Sequence, residues 1–166
     1  QIDILKNNTH LGISGTWWQE FNENNNKYIK KPLEPKNWKE RMLSGGGVIC
    51  GSTPLIKKEA WLASGGFDEN QKRGTDSDLF RRIILSGYKA SILYEVTTSV
   101  DISVNRTRMT ALNNITMYKI HISSMKYNLN KLREHYHQYP KARAKYHERL
   151  SGLYLAIFRE YRDQIY

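Results

Sequence analysis

Ten of the eleven glycines stand at or before Gly87, and none falls between Met109 and Gly152. Glycine punctuates turns and helix ends and costs about 1 kcal/mol inside a helix, so this distribution divides the chain into a turn-rich first part and a long helical second part. In the second part Ile115, Met117, Tyr118, Ile122, Met125, Leu129 and Leu132 recur at three- and four-residue intervals. That spacing predicts one long helix. The residue before a proline resists helical geometry, which places a junction near Gln138-Tyr139-Pro140. A second helix then runs through Leu150, Leu153, Tyr154, Ile157 and Phe158 towards Tyr166. The expectation is two long helices packed antiparallel, their apolar stripes serving as packing surface.

Charge divides the chain at the same place. Residues 1–105 hold 14 basic and 12 acidic side chains, and the remaining 61 residues hold 12 and 4, so the excess is +2 in one part and +8 in the other. With 166 residues, 39% of them hydrophobic, the chain is long enough for an ordinary globular core. No apolar run reaches the roughly 18 residues a spanning helix needs. Cys50 is the only cysteine, which excludes an intrachain disulfide and a cysteine-based zinc site and favours a reducing compartment. The start, Gln-Ile-Asp-Ile-Leu-Lys, is neither a methionine start nor a signal peptide, and the chain is expected to be a piece of a longer one.

Within the first part, Thr9 to Trp18 reads as a strand, and the asparagine- and proline-rich stretch from Asn22 to Pro35 as a mobile, solvent-facing loop. Asn37 to Leu43 predicts a short helix, Val48-Ile49-Cys50 a buried strand, and Lys57 to Ser64 another short helix closed by Gly65-Gly66. Thr75 or Asp76 caps a helix whose Leu79, Phe80, Ile83 and Ile84 form one apolar face, ending at Gly87. Tyr88 to Tyr94 and Val96 to Val100 read as two more strands.

The ordered run Gly66-Phe67-Asp68-Glu69, Thr75-Asp76-Ser77-Asp78-Leu79 and Gly87-Tyr88-Lys89, with Lys57-Lys58-Glu59-Ala60-Trp61 ahead of it, resembles the second half of the family 2 glycosyltransferases. The resemblance covers about Val48 to Val100, and more loosely the strand at Leu11 to Trp18. It implies an α/β, partial GT-A (Rossmann-like) fold of mixed strands and short helices over residues 1–104, followed by a basic helical tail over 105–166. It further implies an inverting transfer of sugar from a nucleotide-sugar donor to an acceptor hydroxyl, with Asp76 as general base. Such a reaction needs a carboxylate about 3 Å from the acceptor oxygen, and a helix N-terminus keeps a carboxylate charged and oriented. Without the flanking pattern, Asp76 would read as an ordinary helix cap. The family usually has glutamate where Thr75 stands, so Thr75 either takes over a substrate contact or is itself the cap. Asp78 belongs to the same segment, points elsewhere around the turn, and is expected with Thr75 among the substrate-binding residues.

Other positions carry two readings each. Gly51 and Ser52 line an acceptor cleft or merely punctuate a loop. Trp17 stacks on a sugar ring, or one of Trp17 and Trp18 faces the core. Arg106 and Arg108 reach a diphosphate or form a solvated basic turn, and Asp101 falls where relatives often carry a histidine near the metal. The family holds a divalent metal, Mg or Mn, on an Asp-x-Asp cluster that this chain lacks, since the only such spacing, Asp76-Ser77-Asp78, stands at the base position. The complete enzyme is therefore expected to use a metal and this chain alone to bind none and to transfer no sugar. Expected partners are the nucleotide sugar and a glycan or lipid-linked acceptor of polysaccharide or cell-envelope synthesis. The expected location is the cytoplasm or the inner membrane face, and exposed sheet edge favours a homodimer. For the basic tail, a solvated face ranks first, an anionic membrane second and nucleic acid last. The competing reading of the whole is a non-catalytic basic helical module that docks to a protein or an anionic membrane.

Overall fold

The computed structural model describes residues 1–45, 47–103 and 115–163. In chain order the elements are α1 (Ile2–Lys6), β1 (Leu11–Phe21), β2 (Lys27–Lys30), α2 (Trp38–Leu43), β3 (Leu55–Ile56), α3 (Lys58–Ala63), α4 (Thr75–Leu85), β4 (Lys89–Asp101), α5 (Ile115–Lys131), α6 (Arg133–Gln138) and α7 (Pro140–Asp163). The result is a mixed α/β fold with an open sheet and several helices, consistent with a general Rossmann-like topology.

Strand β1 organises the sheet. It pairs in parallel with β4 along its whole length, from Leu11↔Lys89 to Phe21↔Asp101. Its other edge is shared by two antiparallel partners, β3 opposite Ile13 and Ser14 and β2 opposite Trp18 to Phe21. A parallel pair needs a long crossover, and here α2, β3, α3 and α4 supply it. The crossover buries its apolar faces on the sheet: Leu79, Ile83 and Ile84 of α4 pack with Ile13, Ala90 and Ile92 of the strands, all at most 6% exposed.

Several sequence expectations need correction. Val48 and Ile49 are buried in the sheet core as expected, yet Val48-Ile49-Cys50 is not a strand. Gly47 at φ +85° bends the chain into it, and the Thr53 amide closes a turn on the Cys50 carbonyl, which leaves no extended run to pair. The two strands expected over 88–100 are one, β4, whose register slips against β1 around Trp17. The asparagine-rich loop is a hairpin turn leading into β2: the Asn22 side chain accepts the amides of Asn24 and Asn26, and Asn25 takes φ +55°. Helix α1 was not anticipated.

In the helical part the junction at Pro140 stands, since α7 begins there. The first helix, however, is broken at Leu132 into α5 and α6. Contacts of Lys119 with Tyr161 and of Lys126 with Tyr154 run in opposite order along α5 and α7, so the two are antiparallel. Their core holds Ile122, Met125, Leu132, Tyr136, Ala142, Tyr146 and Leu150 together with Leu43 of α2. Helix α2 thus has a foot in each core, Met42 in the sheet core and Leu43 in the helical one. No helix among the described residues is long and apolar enough to cross a membrane.

Candidate functional site

A half-open cleft of about 800 Å³ lies where the first part of the chain meets the helical part. One wall is the loop before α4 and its first turn, another is Gly51-Ser52, and the third is the inward face of α5 and α7.

Gly74 starts α4 in the left-handed region, φ +69°, without any side-chain cap. Neither Thr75 nor Asp76 is therefore the capping residue, and both sit inside the first turn with their side chains on the cleft. This geometry leaves Asp76 available: Oδ1 accepts the Ser77 amide at 2.7 Å, one of the amides a helix start leaves without an intrahelical partner. Oδ2 points at Gly51, so close that a Cβ there would collide with it. The glycine is needed for the carboxylate to occupy this position.

Asp78, two residues on, has a different fate. It is fully buried and lies outside the cleft, its carboxylate held by Arg82 at 2.9 Å and by Lys131 of α5 at 2.9 Å. Lys131 also grips Asp68 at 2.7 Å, and the Tyr127 hydroxyl donates to the same Asp68 oxygen. The Lys131 ammonium and the further hydrogen bonds hold the Asp68 carboxyl down at about 2, against the desolvation that would raise it. Asp78 therefore ties α5 to α4 and Asp68 ties it to the loop before α4, while Asp76 faces the cleft.

The expected substrate positions are only partly brought together. Asp76, Thr75, Gly51 and Ser52 share the cleft. Trp17 stands apart on the sheet: it stacks on Tyr94 at 5.4 Å, lies under Lys31, and donates its indole N–H to the Pro32 carbonyl. Arg106 and Arg108, and the expected boundary after residue 104, lie outside the described residues. No group of three or more His, Cys, Asp or Glu among the described residues is arranged to hold a metal. With Asp78 engaged by Arg82 and Lys131, the surroundings of Asp76 do not suit a divalent cation.

Sequence reasoning missed the cationic side of the cleft. Lys72 and Arg73 before α4, Arg81 on it, and His121 and Arg149 from α5 and α7 all line it. Burial first, then the charges of Arg73 and Arg149, push the His121 imidazole below its ordinary value of 6.5. Spacing gave no signal: Arg149 continues the four-residue row of Lys141 and Lys145 along α7, and only the tertiary fold brings it to the cleft.

No family model matches the chain, and no curated protein matches its sequence.

Proposed function

We propose that the chain is the acceptor-side half of an inverting glycosyltransferase of partial GT-A fold, with Asp76 as general base. The observation that carries this reading is the Asp76 carboxylate, backed by a first-turn amide and turned into a cleft large enough for a sugar acceptor. In the reaction, an acceptor hydroxyl beside Asp76 attacks the anomeric carbon of a nucleotide sugar. The new C–O bond forms as the bond to the diphosphate breaks, the diphosphate leaves with the electron pair, and the hydroxyl proton passes to Asp76. Gly51 and the Ser77 amide fix the carboxylate, while Thr75 and Ser52 supply hydroxyls near the incoming acceptor. A divalent metal and the nucleotide pocket belong to the partner half of the complete enzyme, which works on polysaccharide or cell-envelope glycan from the cytoplasmic side. Asp76→Asn in the complete enzyme is expected to lower transfer by about 10²–10⁴-fold with folding intact. A folded and fully active variant would remove the proposal.

A second reading has its own support. Tyr154, Leu155, Phe158 and Tyr161 are exposed along one side of α7, alongside Arg159 and Arg162. Apolar residues next to cations at helical spacing suit the surface of an anionic membrane. The double change Leu155→Asp and Phe158→Asp is expected to release the chain from anionic vesicles in low salt. Vesicle binding that survives it, measured by co-sedimentation, would count against this role.

A further inference from the structure

The cationic side of the cleft is larger than Asp76 requires. Four fixed cations, Lys72, Arg73, Arg81 and Arg149, face a single carboxylate across the cleft lining. Two donors there are buried and lack a hydrogen-bond partner. Arg73 and Arg81 each leave Nη1 without one, and the nearest carboxylate oxygen to Arg81 Nη1, on Asp78, is 3.9 Å away. A buried guanidinium N–H without an acceptor is costly, and a cavity that keeps two such donors is built to receive acceptor oxygens.

The arrangement is held from both sides. The Arg73 amide donates to Ser124 of α5 at 3.0 Å, Arg81 Nε to the Met42 carbonyl at 3.0 Å, and Arg149 Nη1 to the Gly45 carbonyl at 2.8 Å. Arg81 also lies over the Tyr146 ring, which fixes the plane of its guanidinium. These bonds hold the Arg81 and Arg149 guanidiniums and the Arg73 backbone, and guanidinium forks so placed suit a phosphate, whose oxygens take parallel hydrogen bonds.

We infer that the Arg73–Arg81–Arg149 face of the cleft is a phosphate subsite, and that the phosphate it takes is carried by the acceptor. Its assignment to the acceptor rests on the transferase reading. An inverting displacement sets the attacking oxygen and the leaving diphosphate on opposite sides of the anomeric carbon. Cations that share a cleft with the base therefore face the attacking partner. Burial holds the His121 imidazole below its ordinary value, the charges of Arg73 and Arg149 add to this, and a phosphate that neutralises the two arginines should raise it again.

The test uses the 166-residue chain, with glycerol 1-phosphate as the acceptor-like probe and uridine diphosphate as the leaving-group-like one. Calorimetry gives the affinities, and the imidazole resonances, assigned with His121→Gln, report the site. Glycerol 1-phosphate is expected to saturate one site, to raise the His121 pKa, and to bind at least tenfold more weakly to Arg73→Gln and to Arg149→Gln. Lys6→Gln, which removes the same charge from an exposed position on α1, should leave binding within twofold. Arg73→Lys, which keeps the charge, and circular dichroism of each variant separate lost contacts from lost folding. Equal weakening by Lys6→Gln, binding without saturation, or uridine diphosphate binding as tightly as glycerol 1-phosphate would overturn the inference. The two proposals fail separately. An Asp76→Asn enzyme that still transfers, beside phosphate binding that depends on Arg73 and Arg149, removes the transferase and leaves the subsite. Lost transfer with no phosphate binding does the reverse.

Discussion

Asp76 and Gly51 come from segments 25 residues apart and meet at the cleft, Gly51 lying in the turn that the Thr53 amide closes on the Cys50 carbonyl. A methyl group at position 51 must push the Asp76 carboxylate out of its place, since the atoms it would meet are those of the Asp76 side chain. Alanine also stiffens the unfolded chain, which offsets part of the strain in the folded one. Gly51→Ala is accordingly expected to alter stability by only about 1 kcal/mol. Transfer by the complete enzyme should nonetheless fall tenfold or more, through kcat rather than KM, because a base displaced by about 1 Å loses its line to the acceptor proton. Steady-state kinetics beside a thermal melt read the two effects, and unchanged kcat would detach Gly51 from the positioning of Asp76.

At the scale of elements, Lys131 is the fastening between the helical part and the start of α4. It reaches the fully buried Asp78 and the lightly exposed Asp68 at once. Removing the ammonium leaves Asp78 with Arg82 and the more distant Arg81, and Asp68 with Tyr127 and the Asn70 amide. Lys131→Met is expected to destabilise the chain by about 1–3 kcal/mol, the cost of a buried charged acceptor left short of a donor. The same change should blunt acid sensitivity. Asp68 titrates at about 2 when folded and near 3.8 when free, so its contribution is complete above about pH 4 and drains away as pH falls towards 2. Urea melts of both proteins between pH 5 and pH 2 should show the wild type losing more stability across that window than Lys131→Met. None of this bridge was legible beforehand. Periodicity marks α5 and α7 because apolar spacing is a local property, and the same holds for α4. A lysine near the end of a predicted helix reads as solvated until the tertiary fold shows two carboxylates in front of it. The break at Leu132 was hidden for a related reason: no proline or glycine announces it. The family-like segment fared in between. Its order located the Asp76 turn, while only the packing of α5 reveals that Asp68 and Asp78 serve the architecture.

For the whole molecule the question is whether the two styles of sequence make two independent bodies. The shared helix α2 argues that they do not. Met42 and Leu43 are adjacent, and they enter different cores at 2% and 0% exposure. The Tyr136 hydroxyl, its ionisation pushed up chiefly by burial, donates to the Leu43 carbonyl at 3.0 Å, and Arg81 reaches from α4 to the Tyr146 ring. Cutting Leu43 to alanine empties space on the helical side of α2 and should cost about 2–5 kcal/mol. Optics can tell where that cost is felt. All four tryptophans, Trp17, Trp18, Trp38 and Trp61, lie in the first part, whereas most of the helical residues lie in α5, α6 and α7. Tryptophan fluorescence and far-ultraviolet circular dichroism therefore follow the two parts almost separately. Unfolding of the wild type by urea is expected to give coincident curves by the two probes, and Leu43→Ala should shift both midpoints together. A circular dichroism midpoint that moves while the tryptophan midpoint stays would mean that the helical part unfolds by itself. The cleft, whose walls come from both parts, would then exist only when they happen to be docked.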